Sequence, residues 1–214
     1  MIAQVAQGIA TKYSGSALSS LLTGGLWREK AKDDVAFPYA VFTEVDDING
    51  ATFASDVEFH RIQFTIWAKY SKYTALTIAF HENTPSADTL TDSASGLLTG
   101  GFVVGAPVAI YGSTSNDKTI TPSAIVAGTM TLAITDDLTE EAAGDSVTLM
   151  VTDAQAGLDV LEASLKSLFD RAVLTITSWN NPAMRWDSSR PAYSEDDTIV
   201  GTHIDFVTWI DKAR

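Results

Sequence analysis

The fold is decided by the stretch VEFHRIQFTIWAK at residues 57–69, which is the strongest strand signal in the chain. Its side chains fall into two rows, as those of a β-strand do because successive residues point to opposite faces. The more uniformly apolar row holds His60, Ile62, Phe64, Ile66 and Ala68. The other row holds Phe59, Arg61, Gln63, Thr65 and Trp67. This alternation predicts a strand whose Ile62, Phe64 and Ile66 side faces a hydrophobic core.

The segments on either side of this strand combine helices with further strands. Apolar spacing predicts a helix over residues 2–13, and Ser16 is placed to cap a second helical turn. The remaining predictions are a strand at residues 38–45, a turn at 46–55, a helix at 70–80, a helix that Asp153 caps and that reaches Leu168, and strands at 173–176, 184–186 and 199–210. This order predicts an α+β fold, an antiparallel sheet with helices packed on one face.

Residues 82–153 interrupt that pattern with a stretch rich in Gly, Thr, Ser and Ala. Strand character recurs there at residues 102–111, 119–126, 129–134 and 147–151, between breaks rich in turn-forming residues. Short β-branched runs bounded in this way are typical of hairpins in a small all-β module. The sequence therefore predicts a discontinuous α+β domain at residues 1–81 and 154–214, with an inserted β-module at 82–153. Replacing residues 86–152 by a short linker is expected to leave that domain folded.

Charge is concentrated in the insert. The formal net charge is −13 over 214 residues, and residues 82–153 contribute −9 of it because Lys118 is their one basic residue. An acidic surface repels phosphate, so sequence-specific nucleic-acid binding is not expected. The chain contains no cysteine, which excludes disulfides and thiolate chemistry. Neither a membrane-spanning helix nor a signal peptide is recognised, so the sequence favours a soluble, unexported protein.

Residues that could carry chemistry are scattered. The histidines are His60, His81 and His203, and no two have the spacing of a metal-binding pair. They are predicted to be polar residues at an edge or interface. An acidic segment with Asp136, Asp137, Glu140, Glu141 and Asp145 could bind a hard cation, although it lacks the calcium-loop pattern and is also explained as a solvated turn. No catalytic, cofactor-binding or metal-binding residue is therefore assigned, and no enzyme activity is expected.

Tryptophan is frequent and dispersed. The five residues are Trp27, Trp67, Trp179, Trp186 and Trp209. Aromatic side chains on strands could form a platform for sugars or bases, but their dispersal favours anchoring in the core or at a subunit interface.

Four segments carry a family resemblance: LLTGGLW at residues 21–27, PYAVF at 38–42, RIQFTIWA at 61–68 and HIDFVTW at 203–209. In their order and spacing the chain resembles the tail-completion, or tail-terminator, proteins of long-tailed bacteriophages, over roughly residues 1–81 and 154–214. The resemblance implies a small α+β protein that forms a ring, typically hexameric, where the tail meets the head. It brings no catalytic residues and no cofactor.

The resemblance also implies partners and a location. The expected partners are further copies of the chain, the tail tube protein and the head–tail connector protein. The expected location is the head-proximal end of the tail in the virion, and the host cytoplasm during assembly.

The insert departs from the family pattern and is similar to small β-modules of phage virion proteins. The alternative function is a binding protein whose exposed β-module recognises host glycans or decorates the particle, anchored by the outer domain.

Overall fold

The structure, a computed structural model, describes residues 2–49, 57–181 and 183–212. Its helices are α1 (Ile2–Tyr13), α2 (Ala17–Leu21) and α3 (Ala154–Phe169). Its strands are β1 (Gly25–Arg28), β2 (Tyr39–Asn49), β3 (Val57–Lys69), β4 (Lys72–Ala75), β5 (Ile78–His81), β6 (Thr89–Asp92), β7 (Val108–Tyr111), β8 (Thr119–Ile120), β9 (Pro122–Val126), β10 (Thr129–Leu132), β11 (Val147–Val151), β12 (Trp179–Asn180), β13 (Arg185–Ala192) and β14 (Ile199–Lys212). The predicted α+β class is confirmed, with more strand than helix.

The outer segments of the chain build one six-stranded sheet. Its strand order is β1-β2-β3-β14-β12, and β13 also pairs with β14. The central strand β3 pairs antiparallel with β2 on one side and with β14 on the other. The prediction of an antiparallel sheet is wrong at one edge, because β1 pairs parallel with β2. The ten-residue loop 29–38 makes this possible by carrying the chain back along β1 before β2 begins.

The core lies on the predicted face of β3. Ile62, Phe64, Ile66 and Ala68 are buried, and so are Ile204, Phe206 and Ile210 of the neighbouring β14. Helix α3 covers this face: Phe169 stacks on Phe64 with 5.0 Å between ring centroids, and Phe206 meets Phe64 edge-on at 5.5 Å. The carboxylate of Asp153 accepts a hydrogen bond from the Ala156 amide at 3.1 Å, so the predicted cap of this helix is confirmed.

The helix predicted at residues 70–80 is wrong. The segment forms β4 and β5, with Ile78 and Phe80 buried and Leu76 61% exposed. The helical spacing of Tyr73, Leu76 and Phe80 in the sequence suggested a helix. The alternation of buried and more exposed side chains prevails instead, because strands distant in sequence are available to pair with this segment. Strand β4 pairs with β11 and β5 pairs with β6. Tertiary pairing here overrides a short local pattern.

Other boundaries also differ from the predictions. Residues 173–176 form a loop that carries one bridge, Ile176 to Trp179, instead of a strand. The strand predicted at 184–186 extends to Ala192, and the run at 102–111 is extended only from Val108. Of the turn predicted at 46–55, residues 46–49 belong to β2, and the rest, with Gly50, lies outside the described residues.

The strands between residues 72 and 151, here called the β-module, form two four-stranded sheets in the described part of the chain. One has the order β5-β6-β10-β9 and the other β4-β11-β7-β8. Apolar side chains from both are fully buried, among them Phe80, Leu90, Met130, Ile110 and Leu149. The module thus begins at Lys72, ahead of the predicted insert boundary, and it contains β6, which the sequence reading missed. The division into two domains itself stays a prediction.

The ends of the β-module lie side by side. The Val151 amide donates a hydrogen bond to the Ser71 carbonyl at 2.9 Å. The module also packs on α3, where Gly157 allows close approach: a Cβ at this position would lie 3.0 Å from the Cβ of Val103. A methyl group there would require Val103 and Ala106 to shift by a few tenths of an ångström.

Replacing residues 72–151 by a short Gly/Ser linker is expected to leave a folded α+β domain. All three helices and all strands of the six-stranded sheet lie outside the replaced segment, and Ser71 and Thr152 are already adjacent. The loss of stability should be about 2–4 kcal/mol, because the apolar surface of α3 that contacts Val103 and Ala106 becomes exposed. Circular dichroism and urea unfolding measure the result.

The matched control is the replacement of residues 86–152 that the sequence suggested, whose boundaries the strand pairing now corrects. That variant keeps β4 and β5 but removes β11 and β6, with which they pair. Unpaired strands promote aggregation, so this control should be less soluble and less stable. A 72–151 replacement that lacks helical circular dichroism at neutral pH would show that the outer segments depend on the module for folding.

Candidate assembly surfaces

The face of the six-stranded sheet opposite the helices, here called the open face, is partly accessible to solvent. In β3 it carries Phe59, which is 48% exposed, and Arg61, whose side chain is 49% exposed. Cross-strand neighbours on β14 include Val207 beside Arg61 and Trp209 beside Phe59. Apolar rings and arginine side chains on one accessible sheet face are typical of protein–protein interfaces.

All five tryptophans lie on strands of this sheet: Trp27 in β1, Trp67 in β3, Trp179 in β12, Trp186 in β13 and Trp209 in β14. All five are within the described residues, and each keeps part of its surface in solvent. The prediction allowed either core or interface anchoring, and the structure places none of them in the fully buried core. Four of them are partly buried, as is ordinary for so large a side chain, while Trp186 is 44% exposed. Tryptophan is also enriched at interfaces, so the accessible parts of these rings on one sheet are compatible with an assembly surface.

A polar network holds the middle of the open face together. Asp205 accepts hydrogen bonds from Gln63 at 2.9 Å, from Ser188 at 3.3 Å and from the Arg190 guanidinium. Burial alone would raise the pKa of Asp205, but the bonds from Gln63 and Arg190 outweigh it and lower the pKa. His203 lies beside this network, with its Nδ1 atom 2.9 Å from the Thr65 hydroxyl oxygen. Burial lowers the pKa of His203, and the positive charge of Arg190 lowers it further. These contacts fix the side chains of the face.

An apolar groove, here called the Trp209 groove, lies beside the open face near the end of β14. It has a volume of about 500 Å³. Its lining includes Val173, Ile176, Trp179, Asn180, Trp209 and Asp211. Val173 is 60% exposed, and the Arg185 guanidinium lies 5.8 Å from the centre of the Trp209 ring. The groove therefore offers aromatic surface next to a cation.

The β13 edge of the sheet is protected against strand pairing. Pro191 has no amide hydrogen to donate, and a bulge between Trp186 and Ser188 interrupts the register. The Lys166 ammonium lies 4.1 Å from the centre of the Trp186 ring, which holds that side chain against α3. These features are typical of edges that do not pair with another chain. An assembly contact at this edge would therefore use side chains and not backbone pairing.

His60 is fully buried, although the sequence predicted a histidine at an edge or interface. Its Nδ1 atom contacts the Glu44 carboxylate, and its Nε2 atom lies 3.5 Å from the Glu58 carboxylate. Both glutamates are largely buried. The register of the β2–β3 hairpin, with a bulge between Glu44 and Asp46, brings Glu44 beside the histidine. The spacing of residues 44 and 60 along the hairpin was the one sequence feature that could have indicated this contact. Using it requires knowing where the bulge lies.

The remaining predicted candidates are separated in space. His81 contacts Glu140 at 3.1 Å and Thr91 at 2.9 Å on the surface of the β-module. In the acidic segment, Glu141 accepts from the amides of Thr114 and Ser115, while Asp136 and Asp145 bind the Thr121 amide and the Thr114 hydroxyl. Within the described residues, no group of three histidine, aspartate or glutamate side chains is arranged to hold a metal ion. The segment's carboxylates order loops instead.

Two buried carboxylates of the β-module were not recognised in the sequence. Asp92 accepts hydrogen bonds from the Tyr73 hydroxyl at 2.8 Å and the Gly96 amide at 2.7 Å, as well as from Thr77 and Ala94. Burial alone would raise its pKa, but these bonds together lower it. The amides of Asn83 and Leu138 lower the pKa of Asp88 in the same way. Each carboxylate ties a loop to a strand.

Asp92→Asn is expected to destabilise the protein by about 2–3 kcal/mol at pH 7, because several donors lose a charged acceptor. A carboxylate whose pKa is lowered by folding stabilises the protein above its unfolded pKa of about 3.9, and this contribution is lost as the pH falls through the folded value. The wild type should therefore lose stability below about pH 4, with a smaller loss in the variant. Urea unfolding at pH 7 and pH 3 measures both effects.

Asp137→Asn is the matched control, because the exposed Asp137 carboxylate accepts no hydrogen bond from the described residues. It should change stability by less than about 0.5 kcal/mol. Equal stability of the two variants at pH 7 would contradict the role assigned to Asp92.

Comparison of the sequence with protein-family models and with curated proteins finds no match. Among the helices that the structure describes, none has the length and apolarity needed to cross a bilayer.

Proposed function

We propose that this chain is a structural subunit of a phage virion, a tail terminator that forms a closed ring at the head-proximal end of the tail. The ring, hexameric by the resemblance, ends the tail tube and docks it to the head connector. Its partners are further copies of the chain, the tail tube protein and the connector protein. Assembly takes place in the host cytoplasm, and the protein acts by its shape and surfaces.

One observation carries the proposal: every tryptophan lies on the six-stranded sheet, and none is fully buried. The parts of these five indole rings that remain in solvent contribute nothing to the stability of a monomer. Burying such rings between subunits contributes strongly to association, because tryptophan is prominent among the residues that dominate binding energy. The distribution thus favours a protein whose sheet is covered in an assembly.

The architecture supports the same function. Helices packed on one face leave the other face for neighbours, and we propose that this arrangement, with its inserted all-β module, is the ring-forming domain. A ring requires two different, complementary surfaces on each subunit. Contacts between such surfaces form a closed ring when the rotation from each subunit to the next adds up to a full turn. The open face with the Trp209 groove and the opposite end of the sheet can supply them.

The acidic module is proposed to project outward from the tube wall. Residues 82–153 of each subunit carry a charge of −9, and this charge, repeated around a ring, requires solvent and counterions for screening over a Debye length of about 8 Å. Outward placement provides that solvent and leaves the lumen free for DNA. The module surface offers little for a glycan, since Tyr111 is the one aromatic residue among its strongly exposed large side chains in the described part.

The deciding experiment is electron microscopy of particles assembled without this chain. Full heads that fail to join tails, or tails of uncontrolled length, are expected. Supplying the wild-type chain should restore joining, and a chain with Asp137→Asn should restore it equally well. Particles with normal tail lengths and normal joining in the absence of the chain would overturn the proposal and favour the module-binding alternative.

A further inference from the structure

The subunit contact of the proposed ring can be assigned to two surfaces of this chain. We infer that the Tyr193 loop, residues 193–198, of one subunit docks in the Trp209 groove of the next. This inference rests on the self-assembly proposed above and goes further by naming the two surfaces. The occupant of the groove is a second copy of the same chain.

The Tyr193 loop presents an aromatic ring with a strong negative charge. Tyr193 is 91% exposed, the largest exposure among the large hydrophobic side chains of the described residues. It is followed by Glu195, Asp196 and Asp197, all of them exposed. Lys69 is close enough to lower the pKa of Asp196, after the stronger effects of hydrogen bonds from Thr198. An exposed tyrosine beside acidic residues is suited to a cationic, aromatic partner site.

Local hydrogen bonds give the loop a defined shape. The Asp196 carboxylate accepts from the Thr198 amide at 2.8 Å and from its hydroxyl at 2.6 Å, and the Asp196 amide donates to the Ser194 hydroxyl at 3.1 Å. The Thr198 carbonyl in turn accepts from the Tyr70 amide at 2.8 Å. A loop that is already ordered loses less conformational entropy on binding than a flexible one.

The Trp209 groove has the complementary character. Trp179, Trp209 and Val173 supply apolar surface, and Phe59 extends it across the open face. Arg185 lies over the Trp209 ring, with its guanidinium 5.8 Å from the ring centre. Arg61 is a second cation nearby, paired at 3.4 Å with Asp187, and Asp211 is an acidic member of the lining. A tyrosine ring fits such a groove, while the acidic residues that follow it reach Arg185.

The two surfaces cannot meet within one subunit. Tyr193 directly follows Ala192, which pairs with Gly201 near the start of β14, whereas Trp209 lies near the end of that strand. Eight residues of extended strand, at ~3.3 Å each, separate Gly201 from Trp209 by about 26 Å. Contact is therefore intermolecular, and in the proposed ring it runs head to tail. Such a contact joins different surfaces of successive subunits and generates a ring when it closes.

Cross-linking tests the contact directly, since the natural chain has no cysteine. The full chain carries Ser194→Cys in the loop together with Asn180→Cys in the groove and is treated with a short bismaleimide. We expect a ladder of covalent trimers and larger species, because each subunit joins two neighbours. The control pair, Ser194→Cys with Ser167→Cys on the exposed side of α3, should give at least about tenfold less product, because its cysteines lack the high effective concentration of a docked pair.

A second variant set tests the chemistry of the contact. Adding Tyr193→Ala to the chain with cysteines at positions 194 and 180, the groove pair, should lower the yield of cross-linked product at least about tenfold. Adding Tyr111→Ala, which removes an exposed tyrosine of the β-module, should leave that yield unchanged. Exchanging Glu195 and Asp197 for lysine should also lower the yield, and the loss should be larger at low salt because ion pairs are screened less there.

The outcomes separate this inference from the proposed function. Ladders that are equal for the groove pair and the control pair, or no product above monomer, would overturn the docking of Tyr193 in the groove. If particles lacking the chain nevertheless fail to join heads to tails, the terminator function stands and its subunit contact lies elsewhere. A clear ladder in a chain whose absence leaves particles normal would support the contact and remove the terminator role.

Discussion

Replacing Ile66 by aspartate is expected to destabilise the protein by at least about 4 kcal/mol, enough to unfold a large fraction of it, because it buries an unpaired charge. Ile66 is fully buried in β3, with Ala40 of β2 and Thr202 of β14 as its cross-strand neighbours. The two residues directly opposite, an alanine and a threonine, offer no cation to pair with a carboxylate there. Thermal unfolding followed by circular dichroism measures the change.

Phe59→Asp on the same strand is the control. Phe59 lies in the opposite row and is about half exposed, so the carboxylate of an aspartate at this position would remain in water. This variant should lose less than about 1 kcal/mol, because surface substitutions rarely cost more. If Ile66→Asp melts within a few degrees of the wild type, the assignment of the two faces of β3 is wrong.

Replacing His60 by leucine is expected to cost about 3–5 kcal/mol, as the removal of one partner from a buried charged group does. The imidazole lies between Glu44 and Glu58, and without it both buried carboxylates lose that contact. Their mutual repulsion adds to the loss, because charges buried in protein are screened less than charges in water. Urea unfolding at pH 7 measures the free energy of unfolding.

Two controls identify the cause. His81→Leu removes a histidine that also contacts a glutamate but lies at the surface, so it should cost less than about 1 kcal/mol. Replacing His60, Glu44 and Glu58 together by leucine should recover most of the stability, because an apolar cluster of similar volume needs no compensating charge. A triple variant as unstable as His60→Leu alone would show that shape, and not charge, limits this site.

Much of the architecture could be predicted from the sequence because it depends on long local patterns. The alternation of β3 identified its buried face, and the spacing of leucines with Asp153 at the start identified α3 and its cap. Long periodic segments specify their structure, since many residues agree on one period. The helix predicted at residues 70–80 failed because its pattern was short and the strands that pair with it are distant in sequence.

The candidate surfaces were only partly predictable. The sequence showed five tryptophans and favoured either core or interface positions for them, but it could not choose between these. That choice depends on which face of the sheet the helices cover. The contact of Glu44 with His60 depends on the register and bulge of a hairpin, and the bonds that Asp92 accepts depend on how two sheets meet.

The sequence by itself thus determined the α+β class, the buried row of the central strand, the acidity of the inserted segment and the absence of thiol chemistry. These properties are local in the chain or are sums over it. Only the tertiary structure decided that the module begins at Lys72, that Ser71 and Val151 adjoin, that His60 is buried between two glutamates, and that Tyr193 and the Trp209 groove lie at opposite ends of one sheet. Each of these depends on strand pairing between residues far apart in sequence, and a local pattern does not specify the partner of a strand.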